Sequence, residues 1–336
     1  MYIEKNNWLQ LMAGQPNTNV TTDGGLSVEN KTFYDRALLE TAGPKLVHDQ
    51  FAQKRPIPKN GGKTIEFRKY AELPKATQPL TEGVTPDGQK MSATKIEATV
   101  SQYGGYVTLS DMLDLTAIDN NVLEATKAIG EQAGKSLDTI TRNVMQSGTN
   151  VYYCPKSDGS QPASRATLDK TCVLTVDVVK RIAALMRGKN VPTIGDSYVA
   201  IIHPYVAYDL MNDPQWAEMQ KYTNPQPMFN GEIGKIAGVR FVESTEAKVY
   251  SGDGCPAGLS VFGCLFLGDK AYGVTEITGG GLQTIVKQLG SSGTADPLNQ
   301  RSTVGWKATK TAEILIQEYM YRVECCSAFS PTTEAN

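Results

Sequence analysis

Few side chains in this 336-residue sequence are spaced for chemistry. Gly279-Gly280-Gly281 follows a β-type run and precedes LQTIVKQ, the place of a phosphate-cradling turn. That chemistry needs G-x-G-x-x-G inside a βαβ unit, with an acidic residue about 20 positions on. Here the third spaced glycine is missing and Asp296 sits in a Gly/Ser-rich stretch, so the triplet reads as an inter-strand turn. Asp111 and Asp114 lie three apart on a predicted short helix. Paired carboxylates perform acid–base work when burial drives their pKa values apart. With no His, Lys or metal partner close in sequence, helix capping accounts for them better. Only two histidines occur. His203 stands before Pro204, where it can cap a helix, and His48 lies in the polar stretch LVHDQF; both read as structural. The six cysteines, at 154, 172, 255, 264, 325 and 326, contain no Cys-x-x-Cys pair, which argues against a zinc site. Adjacent Cys325 and Cys326 could bridge only with strain, so the thiols are expected to be free in a reducing cell. No catalytic, cofactor-binding or metal-ligating residue is expected.

The bulk properties agree. Net charge is −2, with 40% hydrophobic and 20% charged residues. A dedicated nucleic-acid binder would need clustered Lys and Arg to displace phosphate counterions. An α/β enzyme is possible by size, but no constellation of residues supports one. No apolar run approaches the roughly 18 residues that span a bilayer, and the N-terminus lacks the basic flank and apolar core of a signal peptide. A cytoplasmic site of synthesis is expected. The length suits one large or two ordinary domains.

The most informative segment is a pair of strands. KTIEFRKY sets Ile65 and Phe67 against Glu66 and Arg68, and TKIEATVSQY alternates Ile96, Ala98 and Val100 with Lys95, Glu97 and Thr99. The connection between them, punctuated by Pro74, Pro79, Gly83, Pro86 and Gly88, is too long for a hairpin turn. A two-stranded ribbon is barely stable alone in water, so this arm should rest on something else, most economically another copy of the chain. Elsewhere the pattern predicts short helices over 28–41 and 45–53, and a strand interrupted at Gly104-Gly105. Ser110 should cap a helical turn. A long helix from about Asn120 to Met145 follows, with Val122, Thr126, Ile129, Ala133, Leu137, Ile140 and Val144 on one face. Gly130 and Gly134 imply close approach of a strand or helix there, and Gly148 stops the helix. Thr175 should cap VDVVKRIAALMR. SYVAIIH reads as a strand, and a helix opens at Pro204 and breaks at Asp213-Pro214. A loop through 221–234 leads to single strands KIAGVRFVES, YGVTEI and TAEILIQEYMYRVE.

Longer runs carry a resemblance. LSVENKTFYDRALLE, LVHDQFAQKRPIPKNGGKTIEFRKY, LPKATQPLTEGVTPDG, SDMLDLTAID, LDTITRNVM, AGVRFVESTEAK, the stretch AYGVTEITGGGLQTIVKQLGSSGTADPLNQRSTVGWKATKTAEIL and YMYRVE together resemble the major capsid proteins of tailed bacteriophages. They are most similar to the family named after the N-four phage. The resemblance runs in order from about Leu26 to Glu324, leaving 1–25, which reads as a polar arm, and 325–336 outside. It implies the α+β capsid fold shared by tailed phages and herpesviruses: a peripheral domain of long spine helix and β-sheet, an axial domain, an extended β-hairpin loop and an N-terminal arm. The corresponding divisions are 1–58 for the arm and short helices, 59–106 for the extended loop, 107–170 for the first peripheral part, 171–265 for the axial domain and 266–336 for the returning peripheral strands. It further implies a virion location after assembly in a bacterial cytoplasm, and hexamers and pentamers of the same chain. The other implied partners are scaffolding, portal and decoration proteins, with weak non-specific contact to packaged double-stranded DNA. In that setting the arm's charge pattern suggests a head-to-tail contact. A basic base (Arg55, Lys59, Arg68, Lys69) would receive a neighbour's tip bearing Leu80, Glu82 and Asp87.

Overall fold

A computed structural model describes residues 47–71, 73–116, 121–222, 232–252, 254–277, 280–291 and 296–336. The expected helix over 28–41, the arm over 1–25, Glu72, and Thr278 and Gly279 of the glycine turn lie outside those residues. Two larger sheets and one ribbon make up the β structure. The ribbon is β2 (Thr64–Tyr70) with β3 (Ala93–Thr99). A five-stranded sheet contains β1 (Gln53–Lys54), β4 (Ser101–Ser110), β11 (Tyr272–Thr275), β12 (Gln283–Lys287) and β13 (Arg301–Ile314), and β13 pairs with β4, β11 and β12. A seven-stranded sheet runs β5 (Val151–Tyr153), β14 (Met320–Cys325), β10 (Val261–Leu267), β6 (Tyr198–Ile202), β8 (Val239–Glu243) and β7 (Glu232–Ile236), with β9 (Lys248–Tyr250) also on β10. The helices are α1 (Asp111–Thr116), α2 (Asn121–Gln146), α3 (Val176–Gly188), α4 (Pro204–Met211) and α5 (Pro214–Tyr222).

At 26 residues, α2 is about 40 Å long. Its first half lies on the five-stranded sheet, where Ala125, Ile129, Ala133 and Leu137 meet Leu109, Val304, Trp306 and Ala308. Gly130 and Gly134 are buried on this helix as well. The seven-stranded sheet is covered on both faces, so its middle strands are apolar throughout. Tyr198, Ala200, Ile202, Phe262, Cys264 and Phe266 point to the side of α3 and α4. Val199, Ile201, Leu265 and Leu267 point to the side of Met145, Val47 and Phe51. Strand β10 is buried at every position, a continuous run that alternation cannot reveal.

The caps form as expected: Thr175 accepts from the Val178 N–H, His203 from the Tyr205 N–H at 3.2 Å, and Ser110 from the Leu113 N–H at 3.3 Å. Four strand and helix expectations are corrected. Residues 47–52 form turns, followed directly by β1, rather than a helix over 45–53. Strand β4 runs unbroken through Gly104-Gly105, and the break falls at Val100. The glycines serve packing: a Cβ at 104 would stand 2.7 Å from the Trp306 carbonyl oxygen, and one at 105 would stand 2.7 Å from Gln132 Oε1. KIAGVRFVES is a hairpin, β7 and β8, turning at Ala237 and Gly238 with φ of 52° and 82°. Both central residues in the left-handed region match the turn whose twist suits a hairpin. TAEILIQEYMYRVE divides into the end of β13 and β14, because the chain crosses from one sheet to the other at 315–319.

The second half of α2 buries polar groups. Asp138 accepts from the His48 backbone N–H at 2.8 Å and holds its Nδ1 at 2.6 Å, both side chains being fully buried. Thr141 donates to Asp49 at 2.6 Å, and Lys310 of β13 reaches Asp49 and the Leu137 carbonyl. Arg142 donates to the Glu246 carbonyl, and Gln146 to the Gly263 carbonyl at 2.8 Å. One helix is thereby bonded to both sheets. Asp138→Ala strands His48 in the interior and is expected to cost about 3–5 kcal/mol, read as a lowered urea midpoint.

Burial holds the His203 imidazole down to about 4, so it stays neutral and can accept at the α4 cap. Between about 4 and the ordinary 6.5 the unfolded chain takes up a proton that the native state does not. Stability is therefore complete above pH 6.5 and falls by about 3 kcal/mol as the pH drops towards 4. His203→Asn, which keeps a cap acceptor, should flatten that stretch of the denaturation-midpoint-versus-pH curve.

Candidate functional site: an assembly surface

The ribbon pairs all seven residues of each strand, from Thr64 with Thr99 to Tyr70 with Ala93. Its inner face is anchored to the chain's own body. Phe67, Ala98 and Val100 are buried. A Cβ on Gly273 of β11 would stand 3.0 Å from the Phe67 ring, so that glycine admits the ring against the sheet. Lys69 pairs with Glu318 at 3.1 Å, and the approach strand is held where the Arg55 and Ile57 N–H groups donate to the Val274 and Glu276 carbonyls. The expectation that the arm rests on another copy of the chain is thus corrected at the base, where Phe67 finds a socket in its own sheet. Every described residue from 71 to 95 is exposed. Tyr70, Leu73, Val84 and Met91 are exposed apolar groups there, and Leu80 is 76% exposed. The bonds within the tip are local, such as Val84 N–H to the Thr81 carbonyl and Gln89 to the Pro74 carbonyl.

Of the residues singled out for inter-subunit contact, Arg68 and Lys69 lie on β2, Arg55 and Lys59 on the segment leading to it, and Leu80, Glu82 and Asp87 on the tip. Arg55 and Lys59 are exposed, with the Arg55 guanidinium 6.0 Å from the Phe67 ring centre. Arg68 lies 3.9 Å from Glu66 with two-thirds of its side chain in solvent. Lys69 is partly committed to Glu318. Leu80, Glu82 and Asp87 are exposed.

A second surface escaped the sequence reading. On the five-stranded sheet, Tyr106 of β4, Gly305 of β13 and Ile285 of β12 stand in one cross-strand row. Tyr106 and Ile285 are exposed on either side of the glycine, and Lys287 and Lys307 flank a shallow groove of about 580 Å³. Nearby, Met112, Leu113 and Leu115 of α1 are exposed, and α1 begins beside β13, its Asp111 N–H donating to the Gln300 carbonyl. The outward phase of β4 (positions 102, 104, 106, 108) was the available signal, and the assumed break at Gly104-Gly105 hid it.

Two strongly shifted carboxylates serve local structure. Asp169 is held at about 2 by the hydroxyl and N–H of Thr171, and Asp196 is lowered further by Lys235 and Arg240. Asp111 accepts from the Met112 N–H at a helix start; the Asp114 side chain lies outside the described residues. Among the described residues no group of three His, Cys, Asp or Glu side chains is placed to hold a metal, and no helix is long and apolar enough to cross a membrane.

What this arrangement can do is meet other surfaces, and known proteins agree. The phage capsid protein family matches residues 39–287, about three-quarters of the sequence. The chain belongs to that family. No curated protein matches the chain. Solved structures show the fold. The capsid of Ralstonia phage GP4 superposes with a TM-score of 0.63 at 15% identity, over 85% of this chain and 90% of that one. The capsid of cyanophage P-SCSP1u gives 0.62 at 14%, over 83% and 87%. The acid-stable capsid of Helicobacter pylori bacteriophage KHP30 gives 0.60 at 10%, over 81% and 86%. The family member described here is a structural protein of the virion and not an enzyme, with the α+β fold of tailed-phage capsids.

In this capsid protein the ribbon should come loose if its socket is emptied. Phe67→Ala is expected to cost about 3 kcal/mol or more and to speed amide hydrogen exchange in 64–70 and 93–99, while exchange in α2 stays unchanged.

Proposed function

We propose that this protein is the major capsid subunit of a tailed double-stranded-DNA phage, within the group named after the N-four phage. Its copies tile an icosahedral shell as hexamers and pentamers around the genome. The observation that carries the reading is the ribbon: anchored at its base, it exposes Tyr70 at the end of β2 and then Leu73, Leu80, Val84 and Met91 on a tip that no described residue covers. Burying such groups is worth about 1.5–3 kcal/mol each before the cost of ordering the segment, and sister subunits are the partner present in the right number. The tip carries Glu82 and Asp87 and the base carries Arg55, Lys59, Arg68 and Lys69. One subunit's tip against the next one's base is a heterologous contact, which closes into rings when the rotation permits. Charge complementarity then fixes register more than strength.

In this reading α2 and the five-stranded sheet form the peripheral domain, the ribbon is the extended loop, and the seven-stranded sheet is the axial domain. The 171–265 segment supplies most of that sheet, joined by β5 and β14 from its flanks. Scaffolding and portal proteins would template the shell, and a decoration protein could dress it. DNA would touch the inner face weakly, in keeping with a net charge of −2.

Reversing Glu82 and Asp87 together to Lys should abolish shells and capsomer rings in negative-stain microscopy while circular dichroism and the thermal midpoint stay those of the parent. Normal particles from the double variant would refute the tip-to-base contact.

A further inference from the structure

Five of the six cysteines are buried, and three of them converge at one edge of the seven-stranded sheet. Cys325 lies on β14 and Cys264 on β10, with their sulfurs 3.9 Å apart. Cys154 follows β5, the three-residue edge strand whose partner in the sheet is β14. The parallel register pairs Tyr153 with Glu324, and the Cys154 N–H donates to the Glu324 carbonyl at 3.0 Å, which sets Cys154 beside Cys325.

Strand geometry separates the two possible bridges. Lateral neighbours on paired strands have Cα atoms about 5 Å apart, inside the window of roughly 4.4–6.8 Å that a disulfide spans. Cys264 is not lateral to Cys325: the partner of Cys325 on β10 is Phe262, two positions away. A diagonal pair has its Cα atoms about 7–8 Å apart, too far to bridge without moving a buried central strand. Sulfur proximity alone would have chosen the wrong partner. We propose that Cys154 and Cys325 are an oxidisable pair, reduced while the subunit is made and joined as a disulfide once the capsid meets an oxidising medium.

Hydrogen bonding with Cys154 and Cys264 lowers the proton affinity of the Cys325 sulfur and raises that of its two neighbours. Cys325, which stands between the other two sulfurs, is assigned the first step. A water-sized peroxide is the oxidant suited to so closed a site. The Cys325 thiolate attacks one peroxide oxygen, the O–O bond breaks, and the departing hydroxide takes a proton as water, leaving a sulfenic acid. The Cys154 sulfur then attacks Cys325, the S–S bond forms, the S–O bond breaks, and the thiol proton leaves with the hydroxide as a second water. Two thiols lose two electrons and hydrogen peroxide gains them. The bridge would pin β5, and with it the chain leaving α2, to β14, the second strand of the same sheet.

The biological setting rests on the capsid reading, whereas the chemistry does not, so the test maps the bond. Protein prepared under reductant is exchanged into buffer, treated with hydrogen peroxide, quenched with N-ethylmaleimide, denatured, digested without reduction and analysed by mass spectrometry. Most chains should yield one linked peptide pair joining Cys154 to Cys325, lighter by two hydrogens, with Cys264 alkylated. Cys264→Ala should keep the bridge and Cys154→Val should lose it. A bridge between Cys264 and Cys325, or a Cys154 still alkylated throughout after oxidation, would overturn the proposal. Soluble subunits and shells serve equally, so a failure to assemble counts against the capsid role and leaves the bridge to be judged by its peptides.

Discussion

The buried polar half of α2 is the constraint that the rest of the molecule obeys. An apolar helix face can slide over an apolar sheet at little cost, since dispersion and burial are non-directional. Hydrogen bonds to buried partners are directional, and leaving one unmade costs the desolvation of the group. Asp138 on His48, Arg142 on the Glu246 carbonyl and Gln146 on the Gly263 carbonyl therefore fix the helix in one register against two sheets at once. Lys310, reaching from β13 to Asp49 and to the Leu137 carbonyl, closes the set from the other side. Within the seven-stranded sheet, buried Glu324 is gripped by Arg165 in a two-pronged contact and by Arg322 at 2.9 Å. The two sheets consequently behave as one body. A wall under outward load needs that property, because slack inside each subunit would add up around a shell.

Against this body the ribbon is lightly held. Its base has a ring in a glycine-lined socket and one exposed ion pair, an interaction worth at most about 1 kcal/mol. Its tip offers apolar side chains on a segment stiffened by prolines at 74, 79 and 86. Proline restricts the conformations of the unbound arm, so less freedom is lost when a partner orders it. The division between a cross-bonded body and a pre-stiffened arm lets identical chains sit in slightly different surroundings without straining their cores.

How much of this was legible in the sequence depends on the kind of signal. Periodicity found the ribbon strands and α2, and local chemistry found the caps at Thr175, His203 and Ser110, because those features are determined within a few residues. Strand β10 was invisible, since a strand covered on both faces shows no alternation. The hairpin at Ala237-Gly238 was read as one strand because only tertiary context puts an alanine in the left-handed region. The buried polar stripe of α2 was missed for a simpler reason: Asp138, Thr141 and Arg142 look solvent-facing until their partners, 90 or more residues away for Asp138, are brought to them. Likewise the lateral pairing of Cys154 and Cys325 exists only in the sheet, 171 positions apart in the chain.

In the proposed head-to-tail arrangement, ring closure sets the final demand on this geometry. Copies joined head to tail form a closed ring only if the angle between the donating and receiving surfaces of one subunit is fixed, since any error is multiplied by the number of subunits. Here the ribbon base and the exposed face of the five-stranded sheet are both referred to the same strand. β13 carries Thr303, Gly305 and Lys307 on its outer face near its start, and just past its end Leu315 and Glu318 meet the ribbon base. Midway along it, Trp306 is bonded to Gln132 and Lys310 to the Leu137 carbonyl, both on α2. A strand held to a 26-residue helix in this way has little freedom to bend. The angle between the ribbon base and the sheet face is thus set inside the cross-bonded body, and what remains adjustable is confined to the arm beyond Tyr70, where adjustment is cheap.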